Sequence, residues 1–322
     1  MIGSKKILGG LAVLAALAGA GSRADTLTTL HVDFAYYNPV SLVLKDKHFV
    51  EDAVGPDIKV EWVQSAGSNK ALEYLRSRSL DFGSSAGSAA LLARANGNPV
   101  KIVYVYSKPE WTALVTRSDS SIQTIADLKG KRVAATSGTD PGIFLLRALA
   151  EAGLTTKDIT LVPLQHADGR IALDRGDVDA WAGLDPFMAQ AELETHDRLF
   201  YRNPEFNTYG VLDVRDAFVK AYPDIVTKVI GAYERGRRWS LEHKAELAQI
   251  LVDAAKLSPT VAARQLERTD LSDPVVGDGP RKSIAGAAAV LKSSGVVPAD
   301  ADLDAIENDL LDPDFTKQLA RN

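Results

Sequence analysis

The 322-residue sequence contains no cysteine. That absence removes disulfides, thiolate nucleophiles, cysteine-based metal sites and a lipid-modified cysteine at a processed N-terminus. Histidine is sparse as well. His31, His48, His166, His196 and His243 show no metal-ligand spacing, so no metal site is expected. Neither glycine-rich strand-end loop is a Walker or G-x-G-x-x-G pattern, and no nucleotide cofactor is expected. Ser84 and Ser137 do not stand at the centre of a G-x-S-x-G turn, so neither has the setting of a hydrolase nucleophile. Basic excess is missing too. A formal net charge of −5 argues against nucleic acid or an anionic membrane as partner. Beyond the first residues there is no apolar run long enough to cross a bilayer, and no low-complexity segment or short repeat.

What is present begins with MIGSKKILGGLAVLAALAGAGSRADT. Lys5 and Lys6 form a basic start, Ile7 to Ala20 an apolar stretch, and Ser22-Arg23-Ala24 a small-x-small cleavage site. This is the pattern of a Sec-type signal peptide over residues 1–24. Fourteen residues rich in Gly and Ala are too few for a hydrocarbon core of about 30 Å. The expected mature protein is soluble, periplasmic and without a lipid anchor. Loss of Lys5, Lys6 and Arg23 takes its formal charge to −8 over 298 residues, a length for two domains.

The mature chain alternates strand-like and helix-like runs. Strands are expected at Leu30–Phe34, Ile58–Val63, Asp81–Gly83, Val100–Tyr106 and Thr112–Thr116, with helices at 42–53, 70–80 and 87–95 between them. The rhythm restarts with strands at Arg132–Ala135, Ile159–Leu164 and Asp179–Ala182. Helices at Pro141–Gly153, Gly169–Asp174 and Pro186–Glu194 separate them. Such alternation predicts sheets rich in parallel pairing with helices on both faces, here as two similar lobes. After Asp216 the pattern is helical. Pro223–Glu242 carries Ile225, Val226, Val229, Ile230 and Tyr233 on one stripe, and Ser258-Pro259 reads as a cap and first helical position. No proline- or serine-rich linker divides the lobes, so the crossings are expected in strands near Tyr104–Leu114 and Tyr209–Val214.

In open α/β sheets ligands bind beyond the carboxyl ends of the strands. Those ends carry Tyr36, Tyr37 and Asn38, then Gln64, Ser65, Gly67, Ser68 and Asn69, then Gly83 to Gly87. In the second lobe they carry Ser137 to Gly142, then Gln165, His166 and Asp168, then Trp181 to Asp185. Each loop is rich in Ser, Thr, Asn and Gly, poor in charge, and opens a helix. Any one of them is explained by helix capping. Together they form a nest of neutral donors suited to an oxyanion. His166 reads as a polar loop residue. Trp111 and Trp181 fit a cleft wall or a core equally well.

The runs 81-DFGSSAGSAALLARANG-97, 126-ADLKGKRVAATSGT-139 and 174-DRGDVDAWAGLDP-186 resemble the periplasmic substrate-binding proteins of sulfonate, nitrate and taurine ABC importers. The aliphatic sulfonate branch is the nearest, and the resemblance covers essentially the whole mature chain. It implies two α/β lobes joined by two hinge strands, each lobe a mixed, mainly parallel sheet flanked by helices. Lobe 1 would comprise residues 25–111 and 210–322, and lobe 2 residues 112–209. It implies a receptor, not an enzyme, that needs no cofactor. The expected partners are an organosulfonate and an inner-membrane ABC permease, with the receptor itself a monomer. Taurine, nitrate or a pyrimidine precursor are the alternative ligands.

The ligand contacts it implies are Asn38, Gly67, Ser68, Ser85, Ala86, Gly87, Ser137, Gly138, Thr139 and Trp181. Tyr36, Trp111, Asp140 and Gly142 join them from the same loops. One departure is that sulfonate-type relatives often carry a histidine near the position of Gly142. Asp140, Asp168, Asp185 and Glu110 are near enough in sequence to these loops to repel a dianion or to pair with an ammonium group. The pyrimidine-precursor synthases of thiamine biosynthesis share the two-lobed architecture. They need a reactive histidine and a cysteine-rich iron segment, and this chain has no cysteine.

Overall fold

The computed structural model describes residues 27–317 and 319, so the expected signal peptide lies outside the described residues. In chain order the first elements are β1 (Thr29–Phe34), α1 (Pro39–Asp46), α2 (Phe49–Val54), β2 (Lys59–Gln64), α3 (Ser68–Ser77), β3 (Phe82–Ala86), α4 (Gly87–Ala95) and β4 (Val100–Pro109). They are followed by β5 (Leu114–Thr116), β6 (Arg132–Ala135), α5 (Asp140–Glu151), β7 (Thr160–Pro163), α6 (His166–Arg175), β8 (Ala180–Ala182), α7 (Phe187–Glu194) and β9 (Arg198–Tyr201). The remainder is β10 (Gly210–Arg215), α8 (Asp216–Ala221), α9 (Pro223–Glu242), α10 (Lys244–Ala255), α11 (Pro259–Glu267), β11 (Thr269–Asp270), α12 (Asp278–Ser293) and α13 (Leu303–Leu310).

Two sheets result. One has six strands in the order β11-β4-β10-β3-β1-β2, the other five in the order β7-β6-β8-β5-β9. Both are mixed. Strands that feed helices pair in parallel, β1 with β2 and β3, and β6 with β7 and β8. Strands that carry the chain between sheets run antiparallel, β10 with β3 and β4, and β5 with β8 and β9. Parallel pairing is therefore a smaller share than "mainly" implies, because each crossing strand enters its sheet from the far end. The crossings themselves, residues 110–113 and 202–209, belong to neither sheet. They touch where the backbone N–H of Thr112 donates to Asn207 Oδ1 at 2.8 Å.

Local chemistry accounts for several helix starts. Asn38 Oδ1 accepts from Ser41 N at 3.2 Å with Pro39 next in line, and Ser258 receives Val261 N ahead of Pro259. Both place a cap and a proline where the first turn has unpaired groups. The single helix expected over 42–53 is two, because His48 adopts φ 56°, the left-handed region that breaks helical hydrogen bonding. Strand β3 is buried along its length because helices cover both faces of the larger sheet. Its core runs from Leu30 and Val32 through Phe82, Tyr104 and Tyr106 to Tyr233 of α9. The smaller sheet has a core on each face, one around Phe144 and Leu149, the other around Leu173, Trp181 and Met188.

Candidate ligand cleft

Three helix N-termini meet between the sheets. The cap of α3, Gly67, is buried, and a Cβ added there would lie 2.9 Å from His166 Nε2 and 2.9 Å from Asn69 Oδ1. His166 is the first residue of α6, and Asn69 lies in the first turn of α3. From the loop before α5, Gly138 (φ +73°) turns its α-carbon toward Asn69, whose Cβ would be 3.6 Å from an added Cβ. One terminus comes from the larger sheet and two from the smaller, so this is the mouth where they face each other. A helix N-terminus presents unpaired N–H groups and a partial positive charge. Three aimed at one place favour an anion without a cationic side chain. A groove of about 330 Å³ continues from this junction over α3 and α4, lined by Asn69, Leu72, Glu73, Ala89 and Gly138 among others.

His166 is 1 % exposed. Its Nδ1 lies 3.1 Å from Thr136 Oγ1, whose hydroxyl donates to the carbonyl of Leu164 at 2.8 Å. Nε2 has no partner. Burial alone depresses the ring to a pKa of about 3, so it is neutral at physiological pH. In the sequence it is one polar residue at a strand end, and only its packing against Gly67 distinguishes it.

The residues expected on the opposing wall are largely turned inward. Asn38 donates to Ser84 Oγ at 2.8 Å, Ser84 Oγ donates to Asp33 at 2.9 Å, and Ser85 Oγ donates to Asp213 at 2.5 Å. The N–H of Ala86 is taken by Ser68 Oγ at 3.0 Å, and that of Gly87 by the carbonyl of Tyr209 at 2.9 Å. These groups are engaged with protein partners, Ser84 with Asp33 of β1 and Ser85 with Asp213 of β10, on either side of β3. Desolvation raises Asp33 to a pKa of about 6 and Asp213 well above the ordinary carboxylate value. Ser85 also stands mid-run in 83-GSSAG-87, the spacing of a hydrolase nucleophile turn. Its hydroxyl is buried on Asp213, and no histidine is bonded to it, so it is not an activated nucleophile.

Asp140 is no plain cap. Thr139 occupies the cap position of α5, with Oγ1 accepting from Gly142 N at 3.5 Å. The Asp140 carboxylate accepts from Ser88 Oγ at 2.6 Å, Thr208 Oγ1 at 2.8 Å, Thr208 N at 2.8 Å and Trp111 Nε1 at 2.8 Å. It ties both crossings to α4. The other acids expected near the ligand are also engaged or turned away. Glu110 pairs with Arg202 at 2.7 Å, Asp185 lies 3.4 Å from Arg268, and Asp168 is exposed. Three of these four carboxylates are therefore already engaged by protein partners.

The remaining expectations divide. Gly138 reaches the junction, and Ser137 beside it is exposed. Gly142 has no room for a side chain, since a Cβ there would stand 2.5 Å from the carbonyl of Thr136. Trp111 is buried with its indole edge on Tyr37, ring centroids 6.0 Å apart, and so does not line a tail pocket. Trp181 is wholly buried in the core of the smaller sheet against Gly169. Tyr36 lies away from the junction, in an outer groove of about 750 Å³ between α1 and α10. Among the described residues no group of three or more His, Cys, Asp or Glu side chains converges, and no helix is long and apolar enough to cross a membrane.

Two mixed α/β sheets, crossed twice by the chain and facing each other over a cleft of helix N-termini, define the periplasmic binding protein fold. The chain belongs to the NMT1/THI5-like family, whose model matches residues 24–247. It is 35% identical over 172 residues to a protein of Escherichia coli (strain K12) named for binding aliphatic sulfonates, covering 53% of this chain and 54% of that one. The match thus spans about half that relative's length. A Bacillus subtilis (strain 168) protein of the same name is 26% identical, with 83% of each chain covered. Among solved structures, the alkanesulfonate-binding protein SsuA of Xanthomonas axonopodis pv. citri bound to MOPS superposes with a TM-score of 0.79. Its identity is 26%, with coverage of 87% of this chain and 97% of that one. These relatives are named as binding proteins, not as enzymes.

Proposed function

We propose that this protein is the periplasmic receptor of an ABC importer, that it closes around an aliphatic sulfonate, and that it performs no chemistry. The observation that carries the reading is the convergence of three helix N-termini with neutral side chains at the junction of Gly67, Gly138 and His166. A sulfonate spreads one negative charge over three oxygens, which several uncharged donors can solvate. A dianion asks for more countercharge than these groups carry. The names of the relatives support the same ligand class.

In this reading residues 1–24 are a cleaved export signal. Residues 25–111 with 210–322 form one lobe and 112–209 the other, with closure between them recognised by the permease. The mature protein acts as a monomer. Closure rather than catalysis is the output.

Thermal melting of mature protein, unfolded and refolded to strip bound ligand, tests this. The panel is ethanesulfonate, longer alkanesulfonates, taurine, MOPS, nitrate and sulfate. A ligand at 100 times its Kd stabilises the protein by about 2.7 kcal/mol. Stabilisation by alkanesulfonates and none by sulfate is expected. Stabilisation by nitrate alone, or by no member of the panel, overturns the sulfonate assignment.

A further inference from the structure

The junction holds two buried polar atoms for which the fold supplies no partner, the acceptor Asn69 Oδ1 and the ring nitrogen His166 Nε2, and neither residue is in the contact set that the resemblance implies. His166 Nε2 is unpartnered although the ring is 1 % exposed. It faces Gly67 across the meeting of the two sheets. An orphaned buried nitrogen is costly, roughly 1–3 kcal/mol, and one held at a cleft mouth is a contact awaiting its ligand.

The ring's surroundings decide which contact it makes. No charged group perturbs it, and burial alone accounts for its depressed basicity. On its own helix, Asp168 is exposed and Arg170 is held by Glu194 at 3.4 Å and Asp174 at 3.9 Å. From α3, Lys70 is paired with Glu73 at 2.7 Å. From α5, Asp140 is occupied by its four donors. An imidazolium at this place would have no protein counterion and would face three positive helix ends.

Thr136 offers another route. Its hydroxyl has two acceptors within reach, the Leu164 carbonyl at 2.8 Å and His166 Nδ1 at 3.1 Å. When it donates to the carbonyl, Nδ1 carries the hydrogen and Nε2 is a bare lone pair. When it donates to Nδ1, the hydrogen resides on Nε2, which becomes a donor. The ring stays neutral in both states.

We propose that His166 binds the anionic head of the ligand as a neutral Nε2–H donor, with its tautomer set by the hydroxyl of Thr136. This rests on the receptor reading above and specifies how the site accepts an anion without proton uptake.

The test is titration calorimetry of refolded protein with ethanesulfonate between pH 5.5 and 8. Buffers are phosphate, cacodylate and Tris, since sulfonated buffers are themselves candidate ligands. The expected Kd changes less than about twofold across this range, and binding heats extrapolate to no net proton uptake. In protein carrying 15N-labelled histidine, Nε2 of His166 moves from a pyridine-like to a pyrrole-like shift on binding. H166A weakens binding by about tenfold or more, and H166Q, which keeps a neutral N–H, recovers part of the loss. A Kd that tightens steeply below pH 7 with proton uptake overturns the neutral-donor assignment. So do an unmoved Nε2 signal in the liganded wild type and an H166Q that is folded yet binds like H166A. If wild type binds ethanesulfonate and H166A binds equally well, the residue fails and the receptor reading stands. If wild type binds no member of the panel, the receptor reading fails, and this inference with it.

Discussion

Trp111 in the first crossing donates its indole N–H to the carboxylate of Asp140 at 2.8 Å, and Thr208 in the second crossing donates to the same carboxylate twice. One side chain at the start of α5 thus holds both segments by which the chain passes between the sheets. With Ser88 as the fourth donor, every group around it is a hydrogen-bond donor. The same carboxylate thus couples the two crossings to each other and to α4.

Asp140→Asn should therefore be disruptive despite its size. An amide can accept from the Trp111 and Thr208 N–H groups on one side only, the Ser88 and Thr208 hydroxyls on the other would have to turn from donating to accepting, and the charge assistance of all four bonds is lost. Loss of about 2–4 kcal/mol in unfolding free energy is expected, measured by urea denaturation of the refolded protein. A loss below about 0.5 kcal/mol would mean that the carboxylate is not the clamp described.

Gly67→Ala addresses closure. The new methyl would meet His166 Nε2 and Asn69 Oδ1 at 2.9 Å each, and the buried imidazole has little freedom to yield. Ligand affinity should fall by about tenfold while the melting temperature of the ligand-free protein falls by only a few degrees. Small-angle scattering should show a ligand-saturated variant larger than ligand-saturated wild type. Identical profiles with wild-type affinity would remove Gly67 from the lobe contact.

The acids on either side of β3 predict a pH dependence. Burial raises Asp33 from 3.8 to about 6, and raises Asp213 well above 3.8. Between those values the folded chain keeps protons that the unfolded chain has lost, so stability falls as pH rises through the folded pKa. For Asp33 the span is on the order of 3 kcal/mol. His166 acts oppositely. Its folded value of about 3 lies under the ordinary 6.5, so its contribution is lost as pH falls below about 6.5. Asp213→Asn should flatten the decline in melting temperature as pH rises above about 4, because the amide no longer titrates while its oxygen can still accept from Ser85. An unchanged slope would place the titration elsewhere.

Trp181 and Gly169 offer a packing test. A Cβ at Gly169 would lie 2.6 Å from the indole nitrogen, so Gly169→Ala should cost about 1–3 kcal/mol. Trp181→Phe vacates that space, and the double variant should recover part of the loss. Additive losses in the double-mutant cycle would mean that the two do not touch.

The alternation of strand and helix, the two-sheet plan and several helix starts were legible in the sequence. They depend on periodicity and on a local cap such as Ser258, whereas Asn38, expected as a ligand contact, caps a helix that begins at Pro39 and not at Leu42. The break at His48 was not legible, since a left-handed histidine has no local signature. The extension of β3 through Ser84, Ser85 and Ala86 was missed because Ser-Ser-Ala reads as loop. Pairing with β10, which arrives 128 residues later at the Ser85–Asp213 contact, makes it strand.

Chain order and composition alone determined the class of this protein: an α/β chain whose strand ends carry neutral polar loops opening onto helices. Only the tertiary structure decided which of those loops face the cleft. Asn38, Ser85 and Asp140, like Gly138 and His166, belong to the polar runs where a strand gives way to the helix after it. Strand register and the crossing segments turn the first three toward buried partners. The last two are left at the junction because the opposing groups there, Gly67 and Asn69, come from the other sheet. Side-chain direction at a strand end depends on long-range pairing, which no window of sequence contains.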